Sequence, residues 1–182
     1  MSCRFRAIDI ANFYVQLSNN LSDTIDNLKI NKLLFYTQAH SLCRFNKPIF
    51  YDVIQAWDYG PLVKDVFNTF KACGKDPIKE ATDFFDESML SPEELELLID
   101  VYETYGKYTG LALMKMTHAK GAPWDQVYVQ GQNEIIPLDL IKEYYSNKEC
   151  RLDSFQLNYD KLPIVSVLPK EWDSEEDRIY DV

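Results

Sequence analysis

The stretch from Asp26 to Phe45, DNLKINKLLFYTQAHSLCRF, constrains this chain more than any other. It contains no Gly or Pro, and it is the longest run able to form a single helix. Asp26 is placed to cap its start, because a carboxylate accepts from the free backbone N–H groups of a first helical turn. At roughly 100° per residue, Leu28, Leu34, Phe35, Tyr36, Ala39, Leu42, Cys43 and Phe45 fall on one broad arc. An apolar arc that wide predicts a helix packed on several sides, at the centre of the fold. Asn31, Lys32 and Gln38 lie inside the arc, and buried polar groups need partners. Two readings follow. Either the three form a satisfied hydrogen-bond network that sets helix register, or they open a polar pocket for a ligand or partner.

The other elements follow in order. Arg6 to Leu17 reads as an amphipathic first helix with Asp9 in its first turn, and Ser18 to Asp23 as a polar connector. Lys47-Pro48 ends the central helix. Pro48 to Phe50 and Val53 to Trp57 read as two short strands or extended segments. Tyr59-Gly60-Pro61 reads as a turn, with Pro61 opening a helix that carries Val63, Val66, Phe67 and Phe70 and stops at Gly74. Lys75 to Leu90 is irregular, with a short strand at most. Ser91-Pro92-Glu93-Glu94 is a strong helix start, and that helix runs to Gly106. A shorter helix covers Thr109 to Met116 and ends at Thr117-His118. Gly121 to Gln130 holds a turn and a short helix, and Pro137 to Tyr145 is the last helix of the domain. The fold class is therefore mainly α: one helical domain around a central buried helix, with a small β-hairpin or short β element. We divide the chain into this domain, residues 1–150, and a C-terminal extension, 151–182.

At 182 residues and 46% hydrophobic composition the chain suits one well-buried domain. Its net charge of −10 argues against grip on a nucleic-acid backbone, which needs a basic face. Half of that charge lies in the end, EWDSEEDRIYDV, where six acids face one Arg; Trp172, Ile179 and Tyr180 punctuate it. Phe155 to Leu168 alternates enough for one or two strands or an extended arm. The four cysteines form no CxxC pair, so no zinc knuckle is expected, and no apolar run of membrane-spanning length occurs. No metal, cofactor or membrane contact is predicted, and a cytoplasmic setting with reduced thiols is.

Catalytic signals are weak. The two histidines, His40 and His118, lie in no nucleophile motif, and no HExxH, P-loop or GxGxxG is present. Trp57, Tyr59, Gly60, Pro61, Thr117, His118, Pro123 and Trp124 form the more distinctive set, though buried Trp and Tyr also serve as plain core anchors.

These residues carry a family resemblance. Leu28 to Gln38, Pro48-Ile49-Phe50, Ile54 to Val63, then Leu111, Thr117-His118, Gly121, Pro123-Trp124 and the helix from Ile136 to Tyr145 resemble, in order, the motifs of the Panacea domain. That is the SocA-like antitoxin and phage-associated family. Asn31 stands where that family usually has Gln, and Thr37 where a small residue is common. The resemblance implies a mainly helical domain that binds and neutralises a protein toxin, with no agreed catalytic residues. It implies a cognate toxin as partner and makes the acidic tail, with Trp172, Ile179 and Tyr180, a candidate for partner choice. Two other readings stay open. One is an enzyme with Lys32, Asp58, Tyr59 and His118 lining a pocket. The other is a phage-encoded modulator whose acidic surface occupies a host protein.

Overall fold

A computed structural model describes residues 5–147. The predicted extension 151–182, its possible strands and Trp172, Ile179 and Tyr180 lie outside the described residues. Seven α-helices and one two-stranded sheet make up the described part. The helices are α1 (Ala7–Asn20), α2 (Asn27–Phe45), α3 (Lys64–Thr69), α4 (Pro92–Tyr105), α5 (Gly110–Thr117), α6 (Pro123–Val127) and α7 (Leu138–Asn147); the strands are β1 (Gln55–Trp57) and β2 (Gly60–Leu62).

The central helix is where the sequence puts it. Asp26 accepts from Lys29 N at 2.7 Å, and Asn46 stops the helix in the left-handed region at φ 56°. Every residue from Lys29 to Leu42 is buried, because α1, α3, α4, α5, α7 and β2 all pack on α2. Aromatic rings fill the seams: Tyr36 stacks on Tyr105 at 4.0 Å and 8°, and Tyr145 meets Phe35 and Tyr36 edge-on. The start of α4 is the capping box read from sequence, with Ser91 Oγ accepting from Glu94 N and Glu94 Oε2 from Ser91 N. Among the described residues, no helix is long and apolar enough to cross a membrane.

One expectation needs correction. Pro61 does not open a helix; it lies in β2 opposite Ala56, and α3 begins at Lys64. Gly60, at φ 95°, closes a two-residue hairpin turn at Asp58-Tyr59, and pairing across that turn carries Pro61 into an edge strand, where a missing N–H is tolerated. Pro48 to Phe50 forms no strand, only a bridge from Phe50 to Phe5. The Lys75 to Leu90 segment contains no strand either. It has a 3₁₀ turn at Glu87–Met89 and is tied to α1 by amide side chains. Gln16 brackets Phe85 N and O, Asn12 Oδ1 accepts from Thr82 N, and Asn19 Nδ2 donates to Lys79 O.

Candidate functional site

The polar residues of α2 serve three different neighbours. Asn31 Oδ1 accepts from Val63 N at 3.0 Å, and its Nδ2 donates to Asn27 O and Oδ1. Asn27 in turn holds Phe67 O at 2.9 Å. These bonds join α2 to the start and middle of α3. Gln38 works like a strand partner: Oε1 accepts from Ile49 N and Nε2 donates to Phe50 O, both at 3.0 Å. Both amides are thus satisfied by backbone that would otherwise be orphaned.

Lys32 is different. It is fully buried, and its Nζ donates to Pro61 O at 3.0 Å. Burial pushes its amine down to about 7, with Asp26 pulling weakly the other way. Gly60 leaves the space this ammonium occupies. A Cβ on Gly60 would sit 2.9 Å from Thr117 Oγ1 and 3.2 Å from Lys32 Nζ. Thr117 is itself fixed, donating to Met114 O at 2.7 Å. Lys32, Gly60, Pro61 and Thr117 therefore form one buried joint between α2, the hairpin and α5.

Above this joint lies a column of rings. His118, the residue ending α5, stacks on Trp124 at 3.6 Å and 4°, and Trp124 stacks on Tyr128 at 4.3 Å. Pro123 is buried at the start of α6 and sets Trp124 in place. Trp124 Nε1 donates to Trp57 O at 2.8 Å, and Tyr128 Oη donates to Asp58 Oδ1 at 2.9 Å. The column thus clamps the hairpin turn. Burial, reinforced by the nearby Lys32 charge, pushes His118 down to about 4, so its ring is neutral near pH 7. Its Nε2 is buried and meets no hydrogen-bond partner among the described residues. Trp57 and Tyr59 pack with Leu62 and Phe67 in a small cluster beside the main core. His40 is a core residue, 2.9 Å from Tyr105 Oη.

The structure therefore brings Lys32, Gly60, Pro61, Thr117 and His118 together, and it leaves Asn31 and Gln38 in separate joints. The expected pocket of Lys32, Asp58, Tyr59 and His118 is not formed: Lys32 is sealed inside while Asp58 is exposed, bonded to Tyr128. No group of three or more His, Cys, Asp or Glu side chains suited to a metal ion gathers among the described residues.

Sequence reasoning missed the outer face of the hairpin. Beyond β1, Ala56 N donates to Glu134 O and Ile136 N to Ile54 O, so residues 134–136 pair with β1 on the side away from β2. Ile54, Ala56 and Ile136 point inward, and Val53 and Ile135 outward, 53% and 54% exposed. Val53 and Ile135 stand next to buried Ile54 and Ile136, so the sequence shows two adjacent apolar pairs and no alternation that would mark the outer face.

A lone buried ammonium is costly, and that gives a test. The unfolded chain holds the Lys32 proton up to about pH 10 while the folded chain gives it up near 7, so stability rises as pH climbs through that window. Above it the buried Tyr14 and Tyr36 phenols, pushed upward by burial, reverse the slope. Lys32→Met removes a penalty of about 4 kcal/mol near pH 7 and orphans the Pro61 carbonyl, worth about 2 kcal/mol. The variant is expected to be more stable by about 2 kcal/mol, with the rise between neutral and alkaline pH flattened. A melting temperature below wild type, with the slope unchanged, would show that Lys32 is better compensated than this geometry indicates.

Comparison with known proteins agrees with the motif order. A family described as "Antitoxin SocA-like, Panacea domain" matches residues 30–125. Antitoxin SocA of Caulobacter vibrioides (strain NA1000 / CB15N) is 25% identical over 127 residues, covering 65% of this chain and 68% of that protein. No solved structure matches the chain.

Proposed function

The chain belongs to the SocA-like antitoxin family, the Panacea domain family, and from that premise we propose that it neutralises a cognate protein toxin by binding it directly. One observation carries the reading. The motif residues lie mostly inside, where they brace the hairpin, and the outer side of that hairpin is apolar and open. Asn31, Lys32, Gly60, Pro61, Thr117, Pro123 and Trp124 are all buried. The face they support offers Val53 and Ile135, with Trp57 and Tyr59 partly exposed beside them. Rigid aromatic and aliphatic side chains on a preorganised strand pair are the usual material of a binding hot spot.

The rim supports a basic partner. Asp58, in the hairpin turn, and Glu134, paired with Ala56, are exposed beside this face, so a partner with basic residues around an apolar centre is the complementary one. The acidic segment Glu171 to Val182, with Trp172, Ile179 and Tyr180, adds long-range attraction for such a partner.

The test is co-expression with the protein encoded beside it. Growth arrest by that protein alone, relieved by this chain, together with a one-to-one complex of the purified pair, is the expected outcome. Relief of arrest without association between the purified proteins would sink direct neutralisation.

A further inference from the structure

The hairpin, with residues 134–136 paired beside it, has two edges, and they differ. The β2 edge is closed. Pro61 has no N–H, its O accepts from Lys32 Nζ, and Val63 N is held by Asn31 Oδ1. At the other edge the pairing leaves one residue open. Ala56 N donates to Glu134 O and Ile136 N to Ile54 O, around the antiparallel bridge between Gln55 and Ile135. In such a ladder the N–H and C=O of Ile135 point away from β1. Neither has a partner among the described residues. The flanking backbone limits the edge to this one residue. Asn133 O accepts from Gln55 Nε2 at 3.1 Å, and Asn133 turns the chain aside at φ 51°. Pro137 has no N–H, and its O accepts from Ile141 N at 3.2 Å.

We propose that this edge takes an extended segment of the partner protein, added as a strand beside residues 134–136 with a basic side chain next to Glu134. The proposal rests on the direct-binding reading above and specifies how the docking face is used. Charge selects a different protein over a second copy of this chain. Two copies paired edge to edge about Ile135 would exchange the same two bonds. Each would also bring its own Glu134 to that short contact, and like charges there oppose pairing. A Lys or Arg in the added strand reverses the sign, because Glu134 is exposed and Asp58 is exposed at the hairpin turn. The two main-chain bonds fix the segment's direction. The side chains of Val53 and Ile135, 53% and 54% exposed, supply apolar area for its alternate residues.

Two substitutions separate backbone from side chain in binding to the protein encoded beside this chain. Ile135→Ala trims the side chain and keeps the N–H. Ile135→Pro trims it comparably, removes the N–H and sets a ring where the added strand would lie, with no intramolecular bond lost. The Pro variant is expected to bind roughly tenfold weaker than the Ala variant. Equal affinities below that of wild type would overturn strand addition and leave side-chain docking on this face. Wild-type affinity in both variants would overturn it and move the contact elsewhere. No complex even with the wild-type chain would instead be the failure of the direct-binding reading, and this proposal would fall with it. A second readout needs no variant. Residue-resolved amide exchange by NMR is expected to find Ile135 N–H fast in the free protein and about a hundredfold slower in the complex, with Ala56 and Ile136 slow in both. An Ile135 amide equally fast in the complex would contradict the proposal.

Discussion

Gly60→Ala is expected to destabilise the domain by about 4 kcal/mol, an exceptional loss for one methyl group. Two effects add. A φ of 95° is a conformation that residues with a Cβ rarely adopt, costing of order 1–3 kcal/mol. The methyl would also lie 2.9 Å from Thr117 Oγ1 and 3.1 Å from Lys32 Cε. Neither neighbour can retreat cheaply: Thr117 is bonded to Met114 O, and Lys32 is buried with its ammonium on Pro61 O. Overpacking of this kind adds about 1–3 kcal/mol. Gly74 is the internal control, since it also has a positive φ, 58°, and a Cβ there meets nothing within 4 Å. Gly74→Ala is expected to cost only the backbone term, of order 1–3 kcal/mol, because its φ 58° and ψ −128° also strain a residue with a Cβ. Urea denaturation of both variants decides the matter. Equal losses would mean that the joint beneath the hairpin is loose, and that backbone strain is the whole effect.

The second large effect falls on binding and spares stability. Val53→Asp with Ile135→Asp places two carboxylates in the middle of the proposed docking face. Each side chain is more than half exposed, so the melting temperature is expected to stay within about 2 °C of wild type. Affinity for the toxin is expected to fall by about 3 kcal/mol, roughly a hundredfold or more in Kd. Relief of growth arrest is expected to fail with it. Full neutralisation by this double variant would place the interface elsewhere on the molecule.

How legible was this in the chain? The central helix was legible throughout, because its Asp26 cap, its unbroken length and its wide apolar arc are local properties. The need of Asn31 and Gln38 for partners was legible too. Their identity was not, since Asn31 holds a backbone amide 32 residues away and Lys32 a carbonyl 29 residues away. Pro61 was misplaced because a local rule, proline at a helix start, competed with strand pairing across Asp58-Tyr59. The tertiary contacts of Pro61 with Lys32 decided the outcome. Asn12, Gln16 and Asn19 recur at helical spacing on α1 and hold the 75–90 segment, a pattern that a search for polar stripes would have found. The outer hairpin face was obscured because its strand is three residues long, too short for alternation to stand out.

Hydrogen–deuterium exchange on this protein, alone and with its toxin, tests the central claim most directly. The account predicts that the toxin slows exchange in residues 51–62 and 128–136, which carry the hairpin and its outer neighbour, and leaves the already protected amides of α2 unchanged. Protection confined to α1 and the 75–90 segment, with the hairpin exchanging as fast as before, would contradict it.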